Sequence, residues 1–369
     1  MLTFWVPRTG AFGILDWMDD RARVLLPVFE VRAYEDLSER MTLGAGAHIF
    51  AGVDELGPAG KAAVAAVWDQ LSRIPTTRLL NDPRKASSRY DLLNRLADEG
   101  INSFRAWRAD ELSQHRARIQ FPVFLRHRVE HTGNVTGLSH DWRQLQLQLM
   151  RCRMRGNRPA DLLAVEWVDA RDDEGRFRKY SAFKIGDTIV PAHVMTGGHW
   201  MVKAGTNTLT VRSVRDELEY LQHCPHLDWI RQIFALAGID YGRLDYGVVG
   251  GRLHVWEINV NPTIGATPGR KPKPVPPEVQ EERERSRDIR HAGTTSAFLS
   301  LDSGVLERVP VRVAPDLLDA FVREREAQES LARRVALLDR AFRHPLATPM
   351  RGLWRRVFSS TPTRPVPHG

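Results

Sequence analysis

Cysteine is nearly absent from this 369-residue chain, which carries only Cys152 and Cys224. Two thiols exclude a disulfide framework, and without metal-ligand spacing they exclude a thiolate metal knuckle, so a reducing compartment is expected. No stretch approaches the roughly eighteen uncharged apolar residues that a membrane-spanning helix needs. The opening MLTFWVPRTG also lacks a charged region ahead of an apolar one, so the chain is expected in the cytoplasm. A Gly-x-Ser-x-Gly elbow, a P-loop, a dinucleotide fingerprint and an internal repeat are all missing, which leaves hydrolase, P-loop and NAD-dependent readings without local support. What is present is the composition of a globular protein, 42% hydrophobic and 27% charged, long enough for two or three packed units. The formal charge of +8 suits an enzyme for phosphorylated or acidic ligands, and no specific nucleic acid is expected as a partner.

The first hundred residues alternate strand and helix signals. Residues 45–51 (AGAHIFA) form an apolar run of strand length, 61–71 (KAAVAAVWDQL) an alanine-rich helix, and 78–80 a strand that ends in Asn81-Asp82-Pro83. Residues 90–98 are amphipathic, with Leu92, Leu93 and Leu96 on one side and Gly100 as the stop. This βαβα order predicts an α/β layer with parallel strands. From Phe121 the texture changes. Strands are expected at 121–125, 162–168, 178–185 and 188–194, with a helix over 141–153, and together they read as one antiparallel sheet beside a helix. A helix over 227–237 closes at Gly238, and 243–249 with 252–259 form a hairpin around Gly250-Gly251.

That hairpin carries the candidate chemistry. Side chains two apart on a strand share a face, so Glu257 and Asn259 point together and Asp245 on the partner strand can face them. Two carboxylates and an amide oxygen form a partial shell for Mg²⁺, which favours oxygen and completes its octahedron with water and phosphate. The alternative is that both carboxylates are merely solvated on a half-exposed hairpin. Arg243, two residues before Asp245, shares its face and can reach a phosphate or a carboxylate. Of the thirteen histidines, His193 and His199 are expected near this site.

The stretch 241–262, YGRLDYGVVGGRLHVWEINVNP, resembles the closing signature of the ATP-grasp superfamily, in which an Asp on one strand and a Glu-x-Asn on the next hold Mg²⁺ against the ATP phosphates. Asn81-Asp82-Pro83 and the helix ending at Gly100-Ile101 are similar to the segment preceding the grasp domains. Residues 121–126 (FPVFLR) are similar to the strand ending in a phosphate-contacting cation, here Arg126 in place of the usual lysine. The loop 132–137 follows as the small flexible loop. Residues 163–169 (LAVEWVD) are similar to the strand and hinge that hold adenine, with Glu166 and Asp169 where the family contacts base amine and ribose. An arginine that the family often carries aligns with Ser181, so Lys179 or Lys184 would have to supply that charge.

The resemblance covers about residues 75 to 265 and implies an α/β (α+β) ATP-grasp fold with ATP and Mg²⁺ as cofactors. It implies an N-terminal α/β domain at 1–115, a lid subdomain at 116–200 and a metal-bearing subdomain at 201–268, followed by an extension over 269–369. The implied activity is a ligase joining a carboxylate to an amine or similar nucleophile through an acylphosphate, with Arg126 and Arg243 offsetting charge. A kinase of the same fold and a nucleotide-binding adaptor without turnover are the alternatives. Beyond Pro262, residues 270–277 (RKPKPVPP) read as a stiff linker and 278–290 as a solvated charged helix. A long helix is expected over 315–343, with a stripe of Leu331, Val335, Leu338 and Phe342. Residues 333–364 hold eight arginines and one acid, and 350–358 (MRGLWRRVF) interleave arginines with apolar residues. That tail is a candidate for weak contact with an anionic membrane or a protein partner.

Overall fold

The computed structural model describes residues 1–129, 133–203, 206–265 and 274–343. Loop residue Thr132, the first part of the linker at 270–273 and the basic tail at 350–358 lie outside the described residues.

The N-terminal unit is the parallel layer expected from its strand-helix alternation, with elements that composition alone did not mark. Strand β1 (Leu2–Val6, LTFWV) is buried along its whole length and forms the sheet centre. Helix α1 (Phe12–Arg21) follows, then β2 (Phe29–Ala33), β3 (Arg40–Gly44), β4 (Ala47–Phe50), α2 (Pro58–Leu71) and β5 (Arg78–Leu80). The order β2-β1-β4-β5 is parallel at every pairing. Proline opens α2, where its missing N–H has no intrahelical partner to lose, and Ala63, Val64, Val67 and Leu71 give the helix a buried stripe.

Helix α3 (Arg89–Asp98) starts at Ser88, whose side chain accepts from the Asp91 amide at 3.2 Å. It ends at Gly100, whose φ of +69° lets Ile101 N–H reach back to Leu96 O at 2.8 Å. Strand β6 (Ala106–Arg108) and the short α4 (Leu112–His115) lead to β7 (Val123–His127), α5 (Trp142–Met154) and β8 (Leu162–Glu166). The strands pair antiparallel in the order β6-β8-β7. Leu145, Leu149 and Cys152 of α5 pack with Val123, Leu125 and Leu162 of this sheet.

The remaining strands of this region do not continue that sheet. Strands β9 (Phe177–Ile185) and β10 (Thr188–Gly197), followed by α6 (Val211–His223) and α7 (Leu227–Ala237), join β11 (Tyr241–Val249) and β12 (Arg252–Asn259) in the order β10-β9-β11-β12. The single sheet expected over 121–194 is therefore two. The division follows Asp169–Arg176, where paired polar side chains replace the apolar alternation that a continuing strand would need. The β11–β12 turn is Gly250-Gly251, with φ of +54° and +77°, a pair of positive values that only glycine adopts without cost.

Asn81 fastens the parallel sheet to this second one. The buried side chain donates to Tyr241 O at 2.8 Å and Phe50 O at 3.3 Å, and it accepts from the amides of Asp240 and Tyr241 at 2.8 and 2.9 Å. The C-terminal elements are also bound into the body. Helix α8 (Gln280–Leu299) buries Ser286, Thr294, Ala297 and Phe298. Strand β13 (Arg308–Arg312) pairs with β3, and α9 (Pro315–Arg343) lies against α2, with the Glu324 carboxylate accepting from Gly60 N–H at 2.9 Å. Of the stripe expected on α9, Leu331 and Val335 are half-buried, and the side chains of Leu338 and Phe342 lie outside the described residues.

Candidate functional site

A cavity of about 1070 Å³ opens between the three-stranded and four-stranded sheets. Its lining combines two kinds of side chain. Phe124, Trp167, Val168 and Trp200 are aromatic or aliphatic, with Phe124 and Trp200 rings 4.9 Å apart. Arg126, Lys179, Arg243, Asp245, Glu257 and Asn259 are charged or polar. Large apolar walls with a few convergent charged groups are the usual make-up of a small-molecule site.

The hairpin brings its residues together as strand geometry requires. Asp245 lies opposite Glu257, and Arg243 opposite Asn259. Between Asp245 and Tyr246 the register shifts, and Trp256 is the extra residue. The bulge gives both Trp256 and Glu257 a place on the cavity wall. None of Asp245, Glu257 and Asn259 is sequestered in the apolar core.

Cations hold both carboxylates. Asp245 is buried, and it accepts from Ser181 Oγ at 2.7 Å, Arg243 Nε at 3.0 Å and Lys179 Nζ at 2.8 Å. Burial alone would raise its pKa, but Arg243 and Lys179 override that and hold the carboxyl well below the usual carboxylate range. Glu257 Oε2 accepts from Arg126 at 2.6 Å and from Arg89 at 2.9 Å. Arg89, on the first turn of α3, stands behind Glu257 with its side chain only 3% exposed, and burial lowers its pKa. His193 Nε2 lies 2.8 Å from Ser181 Oγ. Since Ser181 donates to Asp245, this nitrogen is assigned as the donor to Ser181. Burial, Arg243 and Lys179 push the imidazole pKa well down, so the ring is neutral at pH 7.

Other residues singled out from the sequence are placed differently. Lys184 faces away from the cavity, because it is an odd number of residues from Lys179 on β9. It pairs with Asp240 at 3.2 Å beside a second cavity of about 260 Å³. Asp169 pairs with Arg171 on the surface and is not part of the cavity wall. Glu166 reaches the wall, but its carboxylate is committed within the protein: Oε1 accepts from Trp107 Nε1 and the Gln120 amide, Oε2 from the Arg105 amide, all at 2.8–2.9 Å. It braces the strand end that forms the apolar wall. His199 is exposed. Gly133 and Asn134 of the expected flexible loop line the cavity across from Lys203, and a Cβ on Gly133 would come within 2.0 Å of the Lys203 Nζ.

Two groups were missed. Arg89 joins Glu257 across 168 residues, a pairing that carries no local signal. Arg283, Arg287 and Arg290 of α8, expected on a solvated helix, also line the cavity. Their spacing of i, i+4, i+7 was the available sign, since it puts three cations on one stripe.

No family model and no curated protein matches the chain. Among solved structures, it is similar to a RimK-domain ATP-grasp protein from Sphaerobacter thermophilus, at 14% identity over 81% of this chain and 100% of the other, with a TM-score of 0.43. A D-alanine–D-alanine ligase from Bacillus anthracis, complexed with ATP, is 11% identical over 82% and 95% of the two chains, with a TM-score of 0.42. D-alanyl-alanine synthetase A from Vibrio cholerae is 9% identical over 83% and 98%, with a TM-score of 0.45. At these identities and TM-scores the likeness assigns no residue and no activity.

Proposed function

We propose that this chain is an ATP-grasp enzyme that binds ATP and Mg²⁺ in the large cavity and joins a carboxylate to an amine or similar nucleophile. The observation that carries the reading is the pairing of Asp245 with Glu257 on one hairpin, bonded to Arg126, Lys179 and Arg243, in a cavity that is also lined by aromatic side chains. Phe124 and Trp200, whose rings touch, and the strand end at Trp167–Val168 offer an apolar surface against which a purine would stack. The triphosphate fits the cationic lining. There Arg126, Lys179 and Arg243 line the cavity beside Asp245 and Glu257, and these cations suit a polyanion.

The donor chemistry fits Mg²⁺. Asp245, Glu257 and Asn259 offer carboxylate and amide oxygens and no nitrogen or sulfur. Among the described residues no group of three or more His, Cys, Asp or Glu side chains converges on a metal position, and the proposed set would be two carboxylates with an amide. An ionised carboxylate has about four lone-pair sites, and Asp245 uses three on Ser181, Arg243 and Lys179. When bound, Mg²⁺ would neutralise phosphate charge as it develops during transfer.

The chain's own residues then have distinct tasks. Lys179 and Arg126, each on a carboxylate, can turn to a phosphate oxygen as that charge enters. Arg126 can do so bidentately through a guanidinium whose Nε has no partner among the described residues. Ser181 and neutral His193 fix the orientation of Asp245 from behind. Arg243 is placed to meet both a phosphate and the carboxylate substrate, which would attack the γ-phosphoryl group to give an acylphosphate and ADP. The nucleophile would then displace phosphate, and no protein nucleophile is required. Purified full-length protein with ATP, Mg²⁺ and pooled amino acids, small acids and polyols tests this. ADP release with a new amide is expected; ADP with a phosphoester would make the chain a kinase, and nucleotide binding without turnover an adaptor.

A further inference from the structure

Helix α8 was expected to be a solvated element, yet it presents one stripe of arginines to the cavity. Arg283, Arg287 and Arg290 lie on the wall with Arg243. Ser286, Thr294 and Phe298, buried on the same helix, press it onto the core and prevent the stripe from turning to solvent. Arg283 has a partner, since its guanidinium donates to Glu217 Oε1 of α6 at 2.5 Å, and Glu217 is itself buried.

Among the described residues Arg290 has no such partner. Its Nε is buried without a hydrogen-bond acceptor among the described residues. Arg283, Arg287 and Arg243 act on it against the carboxylate of Glu217, and Asp20 is a further carboxylate on the same cavity wall. Burial and those cations bring its pKa down to about 10, which leaves it charged at neutral pH. The nearby histidines do not change this balance. His193 is neutral, and burial brings the His291 pKa to about 4, with its Nδ1 accepting from Trp17 Nε1 at 3.0 Å. A half-buried guanidinium whose inner Nε lacks an acceptor, beside other cations on a cavity wall, is stabilised when an anion completes it.

We propose that Arg287 and Arg290, together with Arg243, form a subsite for the anionic part of the second substrate, a small molecule carrying two or more carboxylate or phosphate groups. The proposal rests on the nucleotide reading of the same cavity, because the subsite adjoins the position assigned to the phosphates through Arg243. Two planar forks match carboxylate and phosphate oxygens alike, so the shared chemistry is a clustered anion.

The test uses the full chain and two probes, glutarate for carboxylates and glycerol phosphate for phosphates, with glycerol as the neutral control. Each is titrated calorimetrically into protein alone and into protein saturated with Mg²⁺ and a non-hydrolysable ATP analogue. The subsite binds at least one anion saturably and does not bind glycerol. R290Q weakens that binding by about tenfold or more and R287Q by several-fold, while R290K, which keeps charge but loses the fork, falls between R290Q and the parent. Nucleotide affinity stays within about twofold in all three. Equal anion binding by parent and R287Q would overturn the proposal, as would absence of binding by either anion to the parent in the millimolar range. Failure of the nucleotide itself to bind would overturn the ATP reading, and the titrations without nucleotide would still decide the subsite. If R290Q does not fold, half-buried Arg287 carries the test.

Discussion

Replacing Glu257 by Gln should do more than remove a metal ligand. The carboxylate faces two buried guanidiniums, Arg126 at 2.6 Å with its side chain 9% exposed and Arg89 at 2.9 Å with 3%. An amide keeps the shape, but it removes the counter-charge and can turn an N–H₂ toward a donor. Removing one partner of a buried pair costs about 3–5 kcal/mol. With an unfolding entropy near 2.1 cal/mol/K per residue, the roughly 330 described residues give about 0.7 kcal/mol/K, so Tm should fall by about 4–7 °C. Nucleotide should restore part of that loss, because phosphate oxygens replace the missing acceptor. The assay is thermal denaturation of parent and E257Q, with and without ATP in EDTA. A variant that melts within a degree of the parent, with the same nucleotide-induced shift, would refute the reasoning.

Asn81→Ala should destabilise the protein by about 3–5 kcal/mol, since it strands buried backbone groups of Phe50, Asp240 and Tyr241 and replaces a residue that tolerates φ of +67°; urea denaturation reads the change. Acidification should destabilise as well. Burial holds His48 near pKa 4 and pushes His193 down, so below about 6.5 the unfolded chain binds protons that the native state refuses. From pH 7 to 5, His48 alone should cost about 2 kcal/mol, with stability flat above pH 7, and equal urea midpoints at pH 5 and 7.5 would contradict this. Truncation after residue 307 should give insoluble or strongly destabilised protein, because Val311, Val313 and Phe321 are buried and worth about 2 kcal/mol each.

The elements that sequence made legible are those with local signals. The hairpin at 241–259 declared itself by strand alternation and Gly250-Gly251, and period 2 alone paired Arg243 with Asp245 and Glu257 with Asn259. The same rule could have separated Lys179 from Lys184, had the pairing of β9 with β11 been known: Ser181 lies opposite Asp245, so Lys179 shares its face and Lys184 does not. Glu166 was legible as a strand-end residue but not as a brace, because its partners Trp107 and Gln120 come from other segments. Strand β1 escaped notice because five buried residues without alternation have no period to detect. The arginines of α8 were read through their number, and their spacing held the information.

Under the proposed function, Asp245, Glu257 and Asn259 would hold Mg²⁺ against ATP in this cavity. Calorimetric titration of the full chain with a non-hydrolysable ATP analogue, in saturating Mg²⁺ and again in EDTA, tests it most directly. Saturable binding at one site per chain is expected, weakened about tenfold or more by EDTA, with that metal dependence lost in D245N. Absence of binding in the millimolar range, or an affinity indifferent to both Mg²⁺ and Asp245→Asn, would contradict the account.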